Sequence, residues 1–338
     1  MRIQTASVLF PPVLLIGCVL LAQTEPGAVR KLVDAAPRLP LAKTELTPAP
    51  AAEWKIAYPS AVAMADDGTI YILQRPHEAG REPIPGVSED PVIVVDHHGR
   101  VLRSWGKGLF KIPHTVRIDK AGHIWTVDSG NSMVYEFTPA GKKLMEISIG
   151  EQPVGKRGPA GSSDIAFAPN GHLFITDGYG NSRVLEYSAD GKRLHQWGSA
   201  GNGPGQFNQP HGIAIDDHGI VYVADRRNGR LQRFDMSGKY LGEWSNLGMV
   251  TTVAFRNGDL WIGTQEMTEP TSADGWLLKI DRNSGAILAS VESDHSHHVL
   301  NIAANGDLLS GARPNHPFWF RQAKSDSRAA LILPPRPR

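Results

Sequence analysis

The sequence predicts an all-β fold, a six-bladed β-propeller with four antiparallel strands per blade. Three observations predict it. A unit made of an alternating strand, a glycine turn and a strand of β-branched and aromatic residues recurs along the chain. Its turn glycines, Gly68, Gly122, Gly171, Gly219, Gly258 and Gly306, lie 54, 49, 48, 39 and 48 residues apart, periods that mean propeller blades or comparable arrays. Short third and fourth strands follow the first two in most copies, and several fourth strands end at tryptophan, as in VLRSW, RLHQW and YLGEW.

In chain order, the apolar run over residues 8–22 follows the single basic Arg2 and has the length of a signal-peptide core rather than a membrane span. We therefore read 1–22 as an export signal and expect a secreted or periplasmic protein. Leu15-Ile16-Gly17-Cys18 also has the form of a lipobox, so lipid anchoring at Cys18 stays open beside plain secretion. Cys18 is the only cysteine, which leaves the mature domain to packing and ring closure rather than disulfides. Residues 23–52 are rich in Pro, Ala and Thr and read as a solvated linker. The propeller is expected over 53–335. The outermost strand of its last blade comes either from Leu331-Ile332-Leu333 or from Trp54-Lys55-Ile56 acting as a clasp. A formal charge of +1 with no long basic stripe argues against nucleic acid, and a monomer is expected.

The best-preserved copy begins at Gln209-Pro210-His211 and runs to Asp225. Eight residues before each turn glycine, at the start of the innermost strand, stand Ser60, His114, Ser163, His211, Val250 and His298. Histidine thus fills alternate blades. Innermost strands surround the axis, and alternate blades of six are related by about 120°, so three imidazoles approach one point. With 13 histidines in 338 residues, three such slots hold histidine together by chance about once in ten thousand. Three protein nitrogens with an open fourth position suit a catalytic zinc ion. Hard Ca²⁺ prefers carboxylate oxygens, and no slot carries one.

The second strand returns to the edge where the first began. Fifteen residues past each slot lie Arg75, Ser129, Gly178, Arg226, Gln265 and Arg313, with Tyr179 one residue later in blade three. Up to three arginines and a tyrosine thus rim the histidines. A guanidinium fork fits a carboxylate, and a tyrosine beside a cation can serve as a base. The implied substrate is a small anion with a metal-binding oxygen. Asp128, Asp177 and Asp225 at strand ends read as turn-forming residues.

At these residues the chain resembles the NHL-repeat propellers over about 54–320, and more narrowly the peptidyl-α-hydroxyglycine α-amidating lyase family. The narrower signals are Pro113-His114, Pro210-His211, TDGYGNSR at 176–183 and ADRRNGR at 224–230. The resemblance implies that His114, His211 and His298 hold zinc, that Tyr179 is the catalytic base and that Arg75 engages the substrate carboxylate, with Arg226 and Arg313 as further substrate-binding arginines. It implies cleavage of a carbinolamide C–N bond, releasing an amide and glyoxylate. Two positions depart from the family pattern. Ser296-His297-His298 replaces Met-Pro-His, and Val299 stands where an aspartate helps bind a structural calcium, which argues against calcium here. A non-catalytic binding propeller for a peptide, glycan or protein remains the alternative function.

Overall fold

The computed structural model describes residues 27–46, 55–76, 86–150, 161–267, 275–293, 295–312 and 316–322. The apolar run over 8–22, Cys18 and the C-terminal residues 323–338 lie outside them. No helix among the described residues is long and apolar enough to cross a membrane.

Six four-stranded antiparallel sheets form the blades of the ring. Blade two shows the plan: Pro113–Ile118, Ile124–Asp128, Met133–Phe137 and Lys143–Ser148 pair in sequence order. Its first three strands are almost wholly buried, whereas the fourth exposes most of its residues. That gradient is expected where inner strands lie between neighbouring blades and the outer strand meets water.

The tryptophans that end the fourth strands join one blade to the next. Trp105 of blade one lies against Gly141 of blade two, Trp197 against Gly238 of blade four, and Trp244 against Gly285 of blade five. A Cβ on those glycines would meet the indole at 2.7, 2.7 and 2.3 Å, and each glycine also has positive φ. The turn and the packing therefore both demand glycine.

Two sequence expectations are corrected. Residues 23–52 are not all solvated linker, because Ala28–Ala35 forms helix α1 and Leu41–Glu45 a strand. That strand pairs antiparallel with His316–Gln322, from Leu41 opposite Gln322 to Glu45 opposite Phe318. The outermost strand of blade six is therefore N-terminal, so the propeller begins at Leu41 rather than at residue 53. Leu331-Ile332-Leu333 lies outside the described residues, and Lys55 and Ile56 belong to no strand.

Helix α1 is short and was hidden by the surrounding composition. Its Val29 and Val33, one turn apart, are 0% and 1% exposed against the core between blades four and five. Arg30 pairs with Glu292 at 2.7 Å and lies over the ring of Trp276. Fully burying each valine is worth about 1.5–3 kcal/mol. Removing residues 1–46 is therefore expected to cost at least about 3 kcal/mol in urea denaturation. An unchanged midpoint would show that the segment does not hold the ring.

Candidate active site

Each histidine strand begins with a β-bulge. The ladder shifts register between Pro113 and Thr115, Pro210 and Gly212, and His297 and Val299, with His114, His211 and His298 the extra residues. A bulge leaves its residue outside the regular alternation and re-aims the side chain. The three rings gather at the axis, with centroids 4.3 Å apart for His114–His298, 4.9 Å for His114–His211 and 5.2 Å for His211–His298. One ligand atom from each lies within 4.8 Å of the other two. His295 and His297 do not join them. His295 Nδ1 faces Lys43 at 3.1 Å, and His297 Nδ1 bonds Ser310 Oγ at 2.9 Å.

The alternate slots complete the arrangement. His211 Nδ1 donates to the Thr251 carbonyl at 2.6 Å, and His298 Nδ1 to the Ser60 carbonyl at 3.0 Å. His114 Nδ1 lies 3.2 Å from Thr115 Oγ1, whose hydroxyl donates to the Ser163 carbonyl at 2.6 Å, and that carbonyl also faces His114. Each imidazole is thus held from the next blade through Nδ1, which turns Nε2 toward the axis. A carbonyl on the far nitrogen fixes the tautomer and ring angle of a metal-binding histidine.

Thr251 replaces Val250 as the blade-five slot. The blade-five hairpin closes with Arg256 opposite Asp259 around two residues, one fewer than the others, so counting back from Gly258 overshoots by one. With that correction the six slots alternate hydroxyl and histidine. Sequence reasoning gave Ser60 and Ser163 no role and missed Thr251; the alternation was the signal that could have found them.

Burial pushes the pKa of all three imidazoles down. His114 falls well below its ordinary value, through desolvation and then the nearby charges of His298, His211 and Arg75. His211 falls to about 3, through desolvation and then Arg226. His298 falls well below the ordinary value, through desolvation and then His211 and Arg75. Three imidazoles held through Nδ1 and gathered at one point form a set of nitrogen donors that could hold a metal ion.

Tyr179 closes the group. Its hydroxyl lies 2.9 Å from His114 Nε2 and 2.8 Å from His211 Nε2. Gly178 makes this possible, since a Cβ there would stand 1.7 Å from the Pro210 carbonyl oxygen. Arg75 donates from Nε to the Pro113 carbonyl at 2.9 Å, and its charge reaches all three histidines. Arg226, held by its N–H on the Gln209 carbonyl, acts on His211 and His298. Blades one and four are opposite in a ring of six, so the two arginines flank the histidines from opposite sides. Arg313 lies outside the described residues. Asp128 accepts the N–H groups of Gly130 and Asn131, the turn bonds expected of it, whereas Asp177 and Asp225 pair with Arg183 and Arg230 of the third strands at 2.9 and 2.8 Å. Val299 is buried in the core between blades, 2% exposed.

Comparison with known proteins agrees with this fold. A family model described as a 6-bladed beta-propeller matches residues 162–306. A solved streptogramin B lyase superposes with a TM-score of 0.56 at 16% identity, over 84% of this chain and 98% of its own. A catalytically inactive virginiamycin B lyase from Staphylococcus aureus with quinupristin gives 0.52 at 13%, over 84% and 100%. At such identities these show the fold alone. Among curated proteins, the mouse peptidyl-glycine alpha-amidating monooxygenase is 36% identical over 163 residues, 45% of this chain but only 17% of its own length. The Drosophila melanogaster peptidyl-alpha-hydroxyglycine alpha-amidating lyase 2 is 32% identical over 66% of this chain and 57% of its own. A Caenorhabditis elegans protein named as a probable peptidyl-alpha-hydroxyglycine alpha-amidating lyase is 30% identical over 249 residues, 69% of this chain and 70% of the relative. The chain belongs to the peptidyl-α-hydroxyglycine α-amidating lyase family.

Proposed function

We propose that the protein is a zinc-dependent carbon–nitrogen lyase acting on a peptidyl-α-hydroxyglycine or a related small α-hydroxy acid amide. One observation carries this reading: the Tyr179 hydroxyl stands within hydrogen-bond reach of the Nε2 atoms of both His114 and His211. A proton-moving group and a ligand set therefore share one point. His114, His211 and His298 would hold the zinc, which when bound supplies a Lewis acid that polarises a substrate oxygen.

The protein groups do the rest. Arg75 receives the substrate carboxylate in its planar fork, with Arg226 adding positive charge from the opposite side. Tyr179 takes the proton of the α-hydroxyl. The C–N bond then breaks, the hydroxyl carbon becomes the aldehyde of glyoxylate, and the nitrogen leaves as an amide by taking that same proton from Tyr179, which returns to its starting form. The substrate is a small anion, and the apolar run at 8–22 would place the protein outside the cytoplasm, soluble or anchored at Cys18.

Elemental analysis of untagged protein beside His211→Ala tests the metal. A zinc equivalent lost in the variant, with glyoxylate released from an α-hydroxyglycine peptide by the parent alone, is the expected result. A parent that holds no zinc when zinc is offered would overturn the lyase reading.

A further inference from the structure

The first hairpin and the third strand of blade two together carry a second group of metal-ligating side chains, which the proposed lyase chemistry does not use. Asp119, His123 and Glu136 each offer one ligand atom, and the three atoms lie within 4.8 Å of one another. His123 Nδ1 is 2.7 Å from Glu136 Oε1 and 3.6 Å from Asp119 Oδ2. The group sits at the other end of the strand that begins with His114, about 16 Å away at ~3.3 Å per residue.

The carboxylate of Asp119 is fixed independently of any ligand. Its Oδ1 accepts the N–H groups of Ala121 and His123, both at 2.9 Å, and its Oδ2 accepts the indole N–H of Trp125 at 2.9 Å. Glu136 stands directly across the ladder from Trp125. The side chains of Asp119, His123 and Glu136 are 17%, 35% and 12% exposed, sheltered but open to water on one side.

Blade three provides an internal comparison. There His172 Nδ1 meets Glu186 Oε1 at 2.7 Å, repeating the blade-two pair. Ala168 occupies the place of Asp119, since Ala168 N–H bonds the His172 carbonyl as Asp119 N–H bonds that of His123. Blade four keeps the acid without the pair: Asp216 Oδ1 accepts the N–H groups of His218 and Ile220 and its Oδ2 the hydroxyl of Tyr222, with Arg233 rather than a glutamate across the ladder. The acid and the histidine–glutamate pair thus each occur alone in a neighbouring blade and coincide in blade two. In blade two, two carboxylates converge on one ring nitrogen, and a single Nδ1 proton can serve only one of them. A divalent cation in that proton's place serves all three at once. Zinc bonds of about 2.0–2.1 Å to nitrogen and 2.0–2.2 Å to carboxylate oxygen set ligand atoms a little over 3 Å apart. The observed separations of 2.7 and 3.6 Å bracket that spacing. One imidazole with two carboxylates suits zinc and its borderline neighbours.

We propose that Asp119, His123 and Glu136 hold a second divalent transition-metal ion, on the face opposite the histidine tripod, where it ties the first hairpin of blade two to its third strand. The proposal does not rest on the lyase reading. It is tested on the full chain without a His tag, by equilibrium dialysis against zinc. His211→Ala is expected to retain about one zinc, His211→Ala with His123→Gln to retain none, and His211→Ala with His172→Gln, the blade-three twin, to retain the one. Glutamine keeps a hydrogen bond to Glu136 or Glu186, so each variant is checked for an unchanged metal-free melting midpoint. Zinc is expected to raise the midpoint of His211→Ala and to leave that of its His123→Gln derivative unmoved. A His211→Ala protein that binds no zinc, or a His123→Gln derivative that binds as much as its parent, would show a hydrogen-bonded pair only and overturn the proposal. Loss of all zinc through His123→Gln alone would instead remove the tripod and leave this site standing.

Discussion

Tyr179→Phe is expected to lower kcat for glyoxylate release by about 10²- to 10⁴-fold, the usual worth of a positioned proton-transfer group. The substitution removes one oxygen and leaves the ring where it packs edge-on against His114 and His211, at centroid distances of 5.3 and 5.5 Å. His211 and His298 keep their Nδ1 bonds to the Thr251 and Ser60 carbonyls, so the ligand set and its zinc content should persist. Arg75 is anchored through the Pro113 carbonyl rather than through Tyr179, so substrate affinity should change far less than turnover. The diagnostic result is therefore a large fall in kcat at constant zinc content. A phenylalanine variant within about tenfold of the parent would mean that another group moves the proton. A variant that loses zinc would mean that the hydroxyl matters through the ligand set instead.

The sequence carried the blade plan and the tripod because both are periodic. A turn glycine needs positive φ in every blade, and Gly68, Gly122, Gly171, Gly219, Gly258 and Gly306 all show it, which is why one residue type set the register. The register failed at Val250 because a hairpin one residue shorter still needs its glycine, so glycine position and strand position separate there. The support given to each histidine by the next blade was harder to read. It runs through backbone carbonyls of Ser60, Ser163 and Thr251, and a carbonyl leaves no mark in a sequence. Helix α1 leaves little trace in the sequence because two buried valines one turn apart are too few to raise a period above the Pro- and Ala-rich background. Its partners, including Glu266 and Glu292, lie more than two hundred residues away. The strand that closes blade six is likewise specified by His316–Gln322, at the other end of the chain.

Arg117→Ala is expected to cost about 3–5 kcal/mol of folding stability, because it strips the partner from a carboxylate buried at the propeller axis. Arg117 is 8% exposed and Asp164 1%. The guanidinium takes both Asp164 oxygens, bonds the Leu300 carbonyl and reaches Asn301 Oδ1 at 2.9 Å. Asn301 passes the connection on, donating to the carbonyls of Val62 at 2.8 Å and Val116 at 3.2 Å. Asp164 accepts the Ile213 N–H at 3.1 Å, and the Leu300 N–H reaches Thr252 of blade five at 2.9 Å. All six blades thus meet in one network beneath the histidines. Burial already raises the Asp164 pKa, with Arg117 opposing the rise, so loss of the arginine should raise it further. The sign of the pH dependence follows. In the variant the folded chain binds the Asp164 proton at pH values where the unfolded chain does not, so its stability falls as pH rises through that folded pKa. The deficit against the parent, measured by urea denaturation, should be largest at neutral pH and shrink on acidification. Replacing the pair together, as Arg117→Met with Asp164→Leu, should recover much of the loss, since an apolar pair of similar volume often matches a buried ion pair. A single substitution costing under about 1 kcal/mol, or a deficit that grows on acidification, would show that the axis is held by strand packing and not by this network.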